Sequence, residues 1–303
     1  MSSPISTKVP RVVVLGDVMT DIVVRLAAQV ATFSDTPAKI SLSPGGSATN
    51  EAVWLARGGI AVDLVAVVGE DQLGRDAVRE LRKEGIVAHV TSLKGRTSGV
   101  VISMVDADGR RSMLTDRGAN LDLGAARIEE GLFRPGDHLH VSGYELFDEE
   151  SRLPALELIR QADEVGMTKS IDPCSSGPLS LAGADAFLSW TKGFDVCCAN
   201  LDEGRTLAGA DEPEEVALSL TKHYQTVALT LGDRGALAAT RGGAALMLPP
   251  LPATVVDTTG AGDAFCGSFL AAWLHGRPAS EALRAGLEAS AVAVATVGAR
   301  PAR

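Results

Sequence analysis

The sequence predicts an α/β protein built on one doubly wound, mostly parallel sheet with helices on both faces, and a small accessory sheet beside it. Three observations lead there. Short β-branched runs alternate with segments of helical period along most of the 303 residues. Apolar residues make up 46% of the chain, enough to bury the core of one large domain. Two stretches, about Asp21 to Pro44 and about Thr97 to Arg117, break the alternation with short strand-like pieces only. Strands alternating with helices imply parallel βαβ units, and a sheet so built is covered on both faces.

The elements follow in order. RVVVLGD (Arg11 to Asp17) reads as a buried first strand, and NEAVWLARG (Asn50 to Gly58) as a helix that stops on Gly58 and Gly59. VDLVAVVGED (Val62 to Asp71) is the next strand, and GRDAVRELRKEG (Gly74 to Gly85) is an amphipathic helix closed by glycine. DHLHVSG, TKSIDP, FDVCCAN and TVALTLGDRG come later, each separated from the next by a segment of helical length. Ligands of such sheets bind beyond the carboxyl ends of the strands. The two interrupting stretches carry DIVVRL and KISL, then SGVVISMV and, after the turn DADG, RRSMLT. They fit a small sheet, a lid formed by about 21–44 and 97–117 on a single domain of 1–303, with Pro44-Gly45-Gly46 as its hinge. A lid that excludes water would need that arrangement; an ordinary surface hairpin is the plainer reading.

Composition excludes several classes. A formal charge of −10 and an isoelectric point near 5 argue against a nucleic-acid or anionic-membrane partner. The amino terminus, MSSPISTKVPRVVVLGD, lacks the pattern of a leader, and no window approaches the roughly 18 apolar residues of a membrane span. A cytoplasmic location is therefore expected. Cys174, Cys197, Cys198 and Cys266 form no CxxC pair and read as reduced, mostly buried thiols. The histidines at 89, 138, 140, 223 and 275 show neither metal nor triad spacing.

Chemistry concentrates in VVDTTGAGDAFCGSFLAAWL, Val255 to Leu274. TTGAGD follows the strand-like TVVDT and precedes an apolar helix, so its N–H groups belong to a turn entering a helix N-terminus, a place that attracts anions. Gly260 and Gly262 let the backbone approach closely. An acid there would repel a phosphate unless it had its own task. Asp263 can take the proton of a hydroxyl attacking phosphorus while the turn N–H groups take up developing charge, and the helix dipole should keep its carboxylate ionised. Asp263 as a mere N-cap is the bland alternative. GDAFCGS lacks the lysine of a phosphate-binding P-loop, and neither GDVMTD nor GAGDAF gives GxGxxG.

DTTGAGD before its helix, with GGSATNEAVWLARGG upstream, closely resembles the two signature regions of the ribokinase-like (PfkB-type) carbohydrate kinases. GEDQLGRDAVRELRKEGI, TDRGAN, NLDEG and TLGDRGA stand in the family's order, and the likeness runs from the first strand to VGARP, nearly the whole chain. The resemblance implies a Rossmann-like domain with a β-sheet lid, and an ATP-dependent phosphotransferase acting on a sugar. It implies Asp263 as general base and Gly260, Ala261 and Gly262 as the anion hole. Asp257 and Thr259, with backbone near Val297 to Ala299, match positions beside a monovalent cation, usually potassium. Asn200 and Glu203 match a motif that organises magnesium, phosphate and water; without the family, NLDE is only a cap-like helix start. Thr230, Gly232 and Gly235 match the loop approaching the nucleotide, or else a tight turn after a strand.

For the acceptor, Asp21, Gly45, Gly46 and Asn50 match sugar-contacting positions, with Asp17 at the end of the first strand beside them. Tyr144, Glu145 and Asp172 fall at carboxyl ends of strands and are pocket candidates; Arg117 and Arg234 are counter-charges for ATP phosphates, or solvated. The sequence departs from ribokinases at Met19, where they carry a polar amide, and at Ser47, where they carry lysine. The expected acceptor is therefore a monosaccharide or sugar acid other than ribose. A nucleoside kinase is the alternative, though the lid segments offer only Phe33 as an aromatic for a base. A non-catalytic sugar- or nucleotide-binding regulator on the same fold is the rival of another class. The partners expected are a small sugar and ATP, no nucleic acid, no membrane, and a homodimer through the lid.

Overall fold

The computed structural model describes residues 9–106 and 111–301. The first eight residues of the amino terminus and residues 107–109 of the DADG turn lie outside the described residues. The first strand, β1 (Val12–Leu15), leads into β2 (Met19–Leu26), β3 (Ala38–Gly45) and helix α1 (Ser47–Arg57). β4 (Val62–Gly69), α2 (Gln72–Lys83), β5 (Val87–Leu93), β6 (Gly99–Val105) and β7 (Arg111–Asp116) follow. The second half brings β8 (His138–Ser142), α3 (Tyr144–Phe147), α4 (Glu149–Glu164), β9 (Thr168–Asp172), α5 (Ser176–Ala182), α6 (Ala184–Trp190) and β10 (Val196–Asn200). It continues through α7 (Leu201–Ala208), α8 (Pro213–Leu220), β11 (Thr226–Thr230), β12 (Ala236–Thr240), β13 (Leu246–Leu248), α9 (Ala261–Leu274) and α10 (Ala279–Val294).

Among the described residues, nine strands form the main sheet in the order β13-β12-β11-β10-β9-β8-β1-β4-β5. They run parallel except β12, which pairs antiparallel with both β11 and β13 at one edge. The VVVL run of β1 is buried throughout because its two faces meet two different cores. Val13 and Leu15 join Leu158, Phe187 and Leu220 of α4, α6 and α8; Val12 and Val14 join Ala52, Phe269 and Leu283 of α1, α9 and α10. Each buried valine or leucine contributes roughly 1.5–3 kcal/mol relative to exposure. Chain order reverses at β1, which sends β4 and β5 to one side while β8 to β11 continue on the other. A crevice opens at the carboxyl ends of strands beside such a point.

The second sheet has, among the described residues, four strands in the order β3-β2-β6-β7. Its period-2 pattern divides it into two faces. Asp21, Val23, Val101, Ser103, Met113 and Thr115 line the large cavity, whereas Ile40, Leu42 and Leu114 on the other face are more than half exposed. Two expectations shift. Helix α1 begins at Ser47, three residues before the expected Asn50, because Asp17 accepts from the N–H groups of Ser47 and Ala48 and so satisfies its first turn. TVVDT belongs to no strand: Val256 and Asp257 donate to the carbonyl of Val294, at the end of α10. Among the described residues no helix is long and apolar enough to cross a membrane, and no disulfide forms; the four cysteines are free.

Candidate active site

Gly260 is the N-cap of α9, in the left-handed region at φ 72°, where a Cβ would overlap Ala299. That turn starts the helix at Ala261 and puts Asp263 in its first turn, so Asp263 is not the N-cap. By helix geometry the N–H groups of this turn lack intrahelical partners. The carboxylate of Asp263 is held instead by α1: Ser47 Oγ donates to Oδ1 at 2.9 Å, and Asn50 Nδ2 to Oδ2 at 2.6 Å. Burial pushes its pKa up to about 6 against the pull of these two donors, so the carboxylate is mostly ionised at neutral pH.

Asp263 lies between two cavities. The larger, about 1510 Å3, is lined by Asp17, Met19, Asp21, Gly46, Ser47 and the inner face of the small sheet, and reaches Thr258, Thr259 and Gly260. The smaller, about 70 Å3, is lined by Asp172, Asn200, Glu203, Thr230, Gly262 and Asp263 among others. The sequence-nominated residues on the acceptor side are thus brought together. Asp17 is buried, and Asp21, on β2, is pushed up to about 6 by burial. A Cβ at 45 would overlap the Asp21 carboxylate.

On the other side, Asn200 caps α7 and forms a reciprocal capping box: its side chain accepts from the N–H of Glu203 at 2.9 Å, and Glu203 accepts from Asn200 N and Nδ2 at 2.8 and 2.6 Å. The cap-like reading of NLDE therefore holds locally. Burial pushes Glu203 up to about 8. Such a buried carboxylate, beside the amide of Asn200, is a hard oxygen set that a magnesium ion would neutralise, so these residues fit that ion. Asp257 accepts from the N–H groups of Thr259 at 2.8 Å and Gly298 at 3.1 Å. This draws the turn and the loop 297–299 together around one buried carboxylate, a setting that fits a monovalent cation. Gly232 and Gly235 form a tight turn after β11 at positive φ, with Gly235 packed on the backbone of Leu248 and Pro249; neither cavity includes them.

Several residues stand differently from the sequence reading. Arg117 is not solvated: it pairs with the buried Glu145 at 3.0 Å, donates to the carbonyl of Tyr144 and lines the large cavity. Arg234 is exposed. Phe33 is fully exposed, and the aromatic wall comes instead from Tyr144, Phe147 and Trp190 of α3 and α6. Arg300 was missed altogether. Its Nε donates to Asn50 Oδ1 at 2.6 Å and its guanidinium to the carbonyl of Gly45 at 3.0 Å. Its neighbour Ala299 carried a match; nothing in local spacing showed that the arginine folds back into the site.

A switch-point crevice, a glycine turn at a helix start and a buried carboxylate between two cavities fit a phosphotransferase of the α/β type. The comparisons agree. The model of the pfkB family carbohydrate kinases matches residues 9–303, and the chain belongs to that family; it is a sugar kinase. Ribokinase of Schizosaccharomyces pombe is 28% identical over 300 residues, 95% of this chain and 93% of the relative. The crystal structure of adenosine kinase from Sinorhizobium meliloti superposes with a TM-score of 0.85 at 26% identity, covering 97% of this chain and 96% of that one. Fructokinase from Vibrio cholerae, in a form with fructose, ADP and calcium bound, gives a TM-score of 0.81 at 26% identity, covering 96% and 94%.

Proposed function

We propose that the protein transfers the γ-phosphoryl group of ATP to a hydroxyl of a monosaccharide or sugar acid, with Asp263 as general base. The observation that carries this reading is the position of Asp263 in the wall of both cavities, its carboxylate fixed by Ser47 and Asn50. The acceptor enters the large cavity, where Asp17 and Asp21 offer hydrogen bonds to vicinal hydroxyls, while Asn50 stands behind Asp263 and holds its carboxylate. The nucleotide lies toward Thr230, Gly232 and Gly235. Asp263 removes the hydroxyl proton as the oxygen attacks phosphorus and the bond to ADP breaks. The turn at Gly260, Ala261 and Gly262 takes up charge on the transferred group. Asn200 and Glu203 would hold magnesium, which would supply charge neutralisation on the phosphates, and Asp257 and Thr259 would hold potassium, which would steady the turn. The four-stranded sheet serves as lid, and its exposed outer residues Ile40, Leu42 and Leu114 favour a homodimer through it.

Replacing Asp263 with asparagine should leave folding and ATP binding intact and lower kcat by about 10² to 10⁴. Unchanged turnover would overturn the base assignment. An ADP-release screen over pentoses, hexoses, ketoses, 2-keto-3-deoxy acids and nucleosides separates the enzyme from a binding regulator, which would bind ligand and release no ADP. A nucleoside acceptor is the second reading, and the aromatic wall favours it: Tyr144, Phe147 and Trp190 offer faces for a base, worth roughly 1–3 kcal/mol per stacked base. Should a nucleoside exceed every sugar in kcat/KM, that reading replaces the sugar.

A further inference from the structure

β8 and β9 lie in the middle of the main sheet, where strands are ordinarily apolar on both faces. On the face covered by α1 and α9 they are polar at every second position. His138, His140 and Ser142 stand opposite Thr168, Ser170 and Asp172. Both rings and Ser170 are fully buried, and Thr168 is exposed. An unbroken row of hydrogen bonds joins them: Glu51 Oε2 to His140 Nε2 at 2.7 Å, His140 Nδ1 to Ser170 Oγ at 2.7 Å, Ser170 Oγ to His138 Nε2 at 2.7 Å, and His138 Nδ1 to Thr168 Oγ1 at 2.8 Å. At the inner end, carboxylate oxygens of Glu51, Asp172 and Asp263 lie within 4.8 Å of one another. Asp172 and Asp263 share the polar cavity of about 70 Å3, ample for a bridging water, which needs roughly 10–15 Å3.

We propose that this row is a proton wire, carrying the proton that Asp263 takes from the acceptor through Glu51 to solvent at Thr168 while the site is closed. The inference rests on Asp263 as base. Ser170 has one hydroxyl proton and touches two ring nitrogens, so it donates to one and accepts from the other. With each ring neutral, only two arrangements satisfy the row. In one, protonated Glu51 donates to His140 Nε2, and Nδ1–H of both rings points toward Thr168. In the other, Nε2–H of both rings points toward an ionised Glu51. Passing from the first to the second moves one proton along every bond: Glu51 loses one, Thr168 gives its own to water, and no ring becomes charged. When the site opens, Glu51 passes the proton it took from Asp263 out through the cavity and the row shifts back: water at Thr168 returns one proton, both rings regain Nδ1–H and Glu51 is protonated again. Burial holds both imidazoles neutral, with pKa values pulled down to about 4 for His140 and about 3 for His138.

Nitrogen-15 NMR of the histidines in the wild-type protein near neutral pH tests the row directly. His138 and His140 should be neutral and share one tautomer, both Nδ1–H or both Nε2–H; opposite tautomers or a charged ring would overturn the wire. Single-turnover kinetics with a pH-indicator dye test its use. In the wild type, the proton should appear in solution together with phosphoryl transfer. In Ser170→Ala, transfer should persist while proton release lags it by about 10-fold or more, and Ser170→Thr should restore synchrony. Synchronous release in Ser170→Ala sinks the proposal. Unchanged turnover in Asp263→Asn would instead sink the base assignment, and the tautomer result stands apart from both.

Discussion

At the scale of the residue, the site is set by charges held at close range. Arg300 stays charged although burial pulls it down to about 10, because Asp263 and Asp21 favour its cation. It fixes the amide of Asn50 so that Nδ2 points at Asp263, and its charge opposes the rise in the Asp263 pKa. Charge-assisted hydrogen bonds contribute roughly 1.5–3 kcal/mol, so Arg300→Ala should lower kcat/KM by about 10- to 100-fold. Its removal should also move the acid limb of the pH profile. The wild-type rate should rise with pH through about 6 as Asp263 ionises, and the variant's limb should lie higher, since a positive neighbour has been lost. A variant with unaltered kcat/KM and an unmoved limb would leave Arg300 a surface-closing residue only.

At the scale of the element, the turn into α9 depends on a backbone conformation that a side chain disfavours. Gly260→Ala would force Cβ into Ala299 and would place alanine at φ 72°. The N–H groups of Ala261 and Gly262 would then be misaimed. Loss of one donor in such a hole costs about 10²- to 10³-fold in kcat. The fall in kcat should therefore far exceed any fall in the thermal midpoint, and a variant that loses stability without losing turnover would show the turn to be structural alone. The same element explains why the motif was readable: glycine, small residue, glycine and acid in a turn before an apolar helix state their own geometry. NLDE was less telling, since the capping box uses the same two side chains that the proposal assigns to magnesium.

At the scale of the whole molecule, buried carboxyl groups link stability to pH. Glu145 and Glu203 are raised from 4.5 to about 8, so the folded protein holds protons that the unfolded chain has released. Their contribution is complete below about 4.5 and is lost as pH rises through about 8. His138 and His140, lowered from 6.5, work in the opposite sense, but only below 6.5. Above that pH nothing from the two rings offsets the carboxyl groups. The thermal midpoint of the ligand-free protein should fall between pH 6.5 and pH 8, and Glu145→Gln should flatten the fall. A midpoint that holds level or climbs over that interval would contradict the burial of these acids.

What the sequence determined by itself was everything governed by neighbours within one element. Continuous apolar runs such as VVVL required strands covered on both faces, alternation in DIVVRL and SGVVISMV required a sheet with two unlike sides, and DTTGAGD required a tight turn at a helix start. Polar alternation in HLHVS and TKSID was equally present, and its meaning stayed hidden because the partner strand was unknown. Tertiary structure alone decided the order of strands, and with it the bonds that join distant positions: Ser47 to Asp263 across 216 residues, Asn50 to Asp263 across 213, and Arg300 to Asn50 across 250. It also decided that aromatic side chains of α3 and α6, rather than Phe33, line the large cavity. Hydrophobic period reports the direction of a side chain relative to its own strand or helix; which other element it meets depends on the packing of the whole core, where no local pattern reaches.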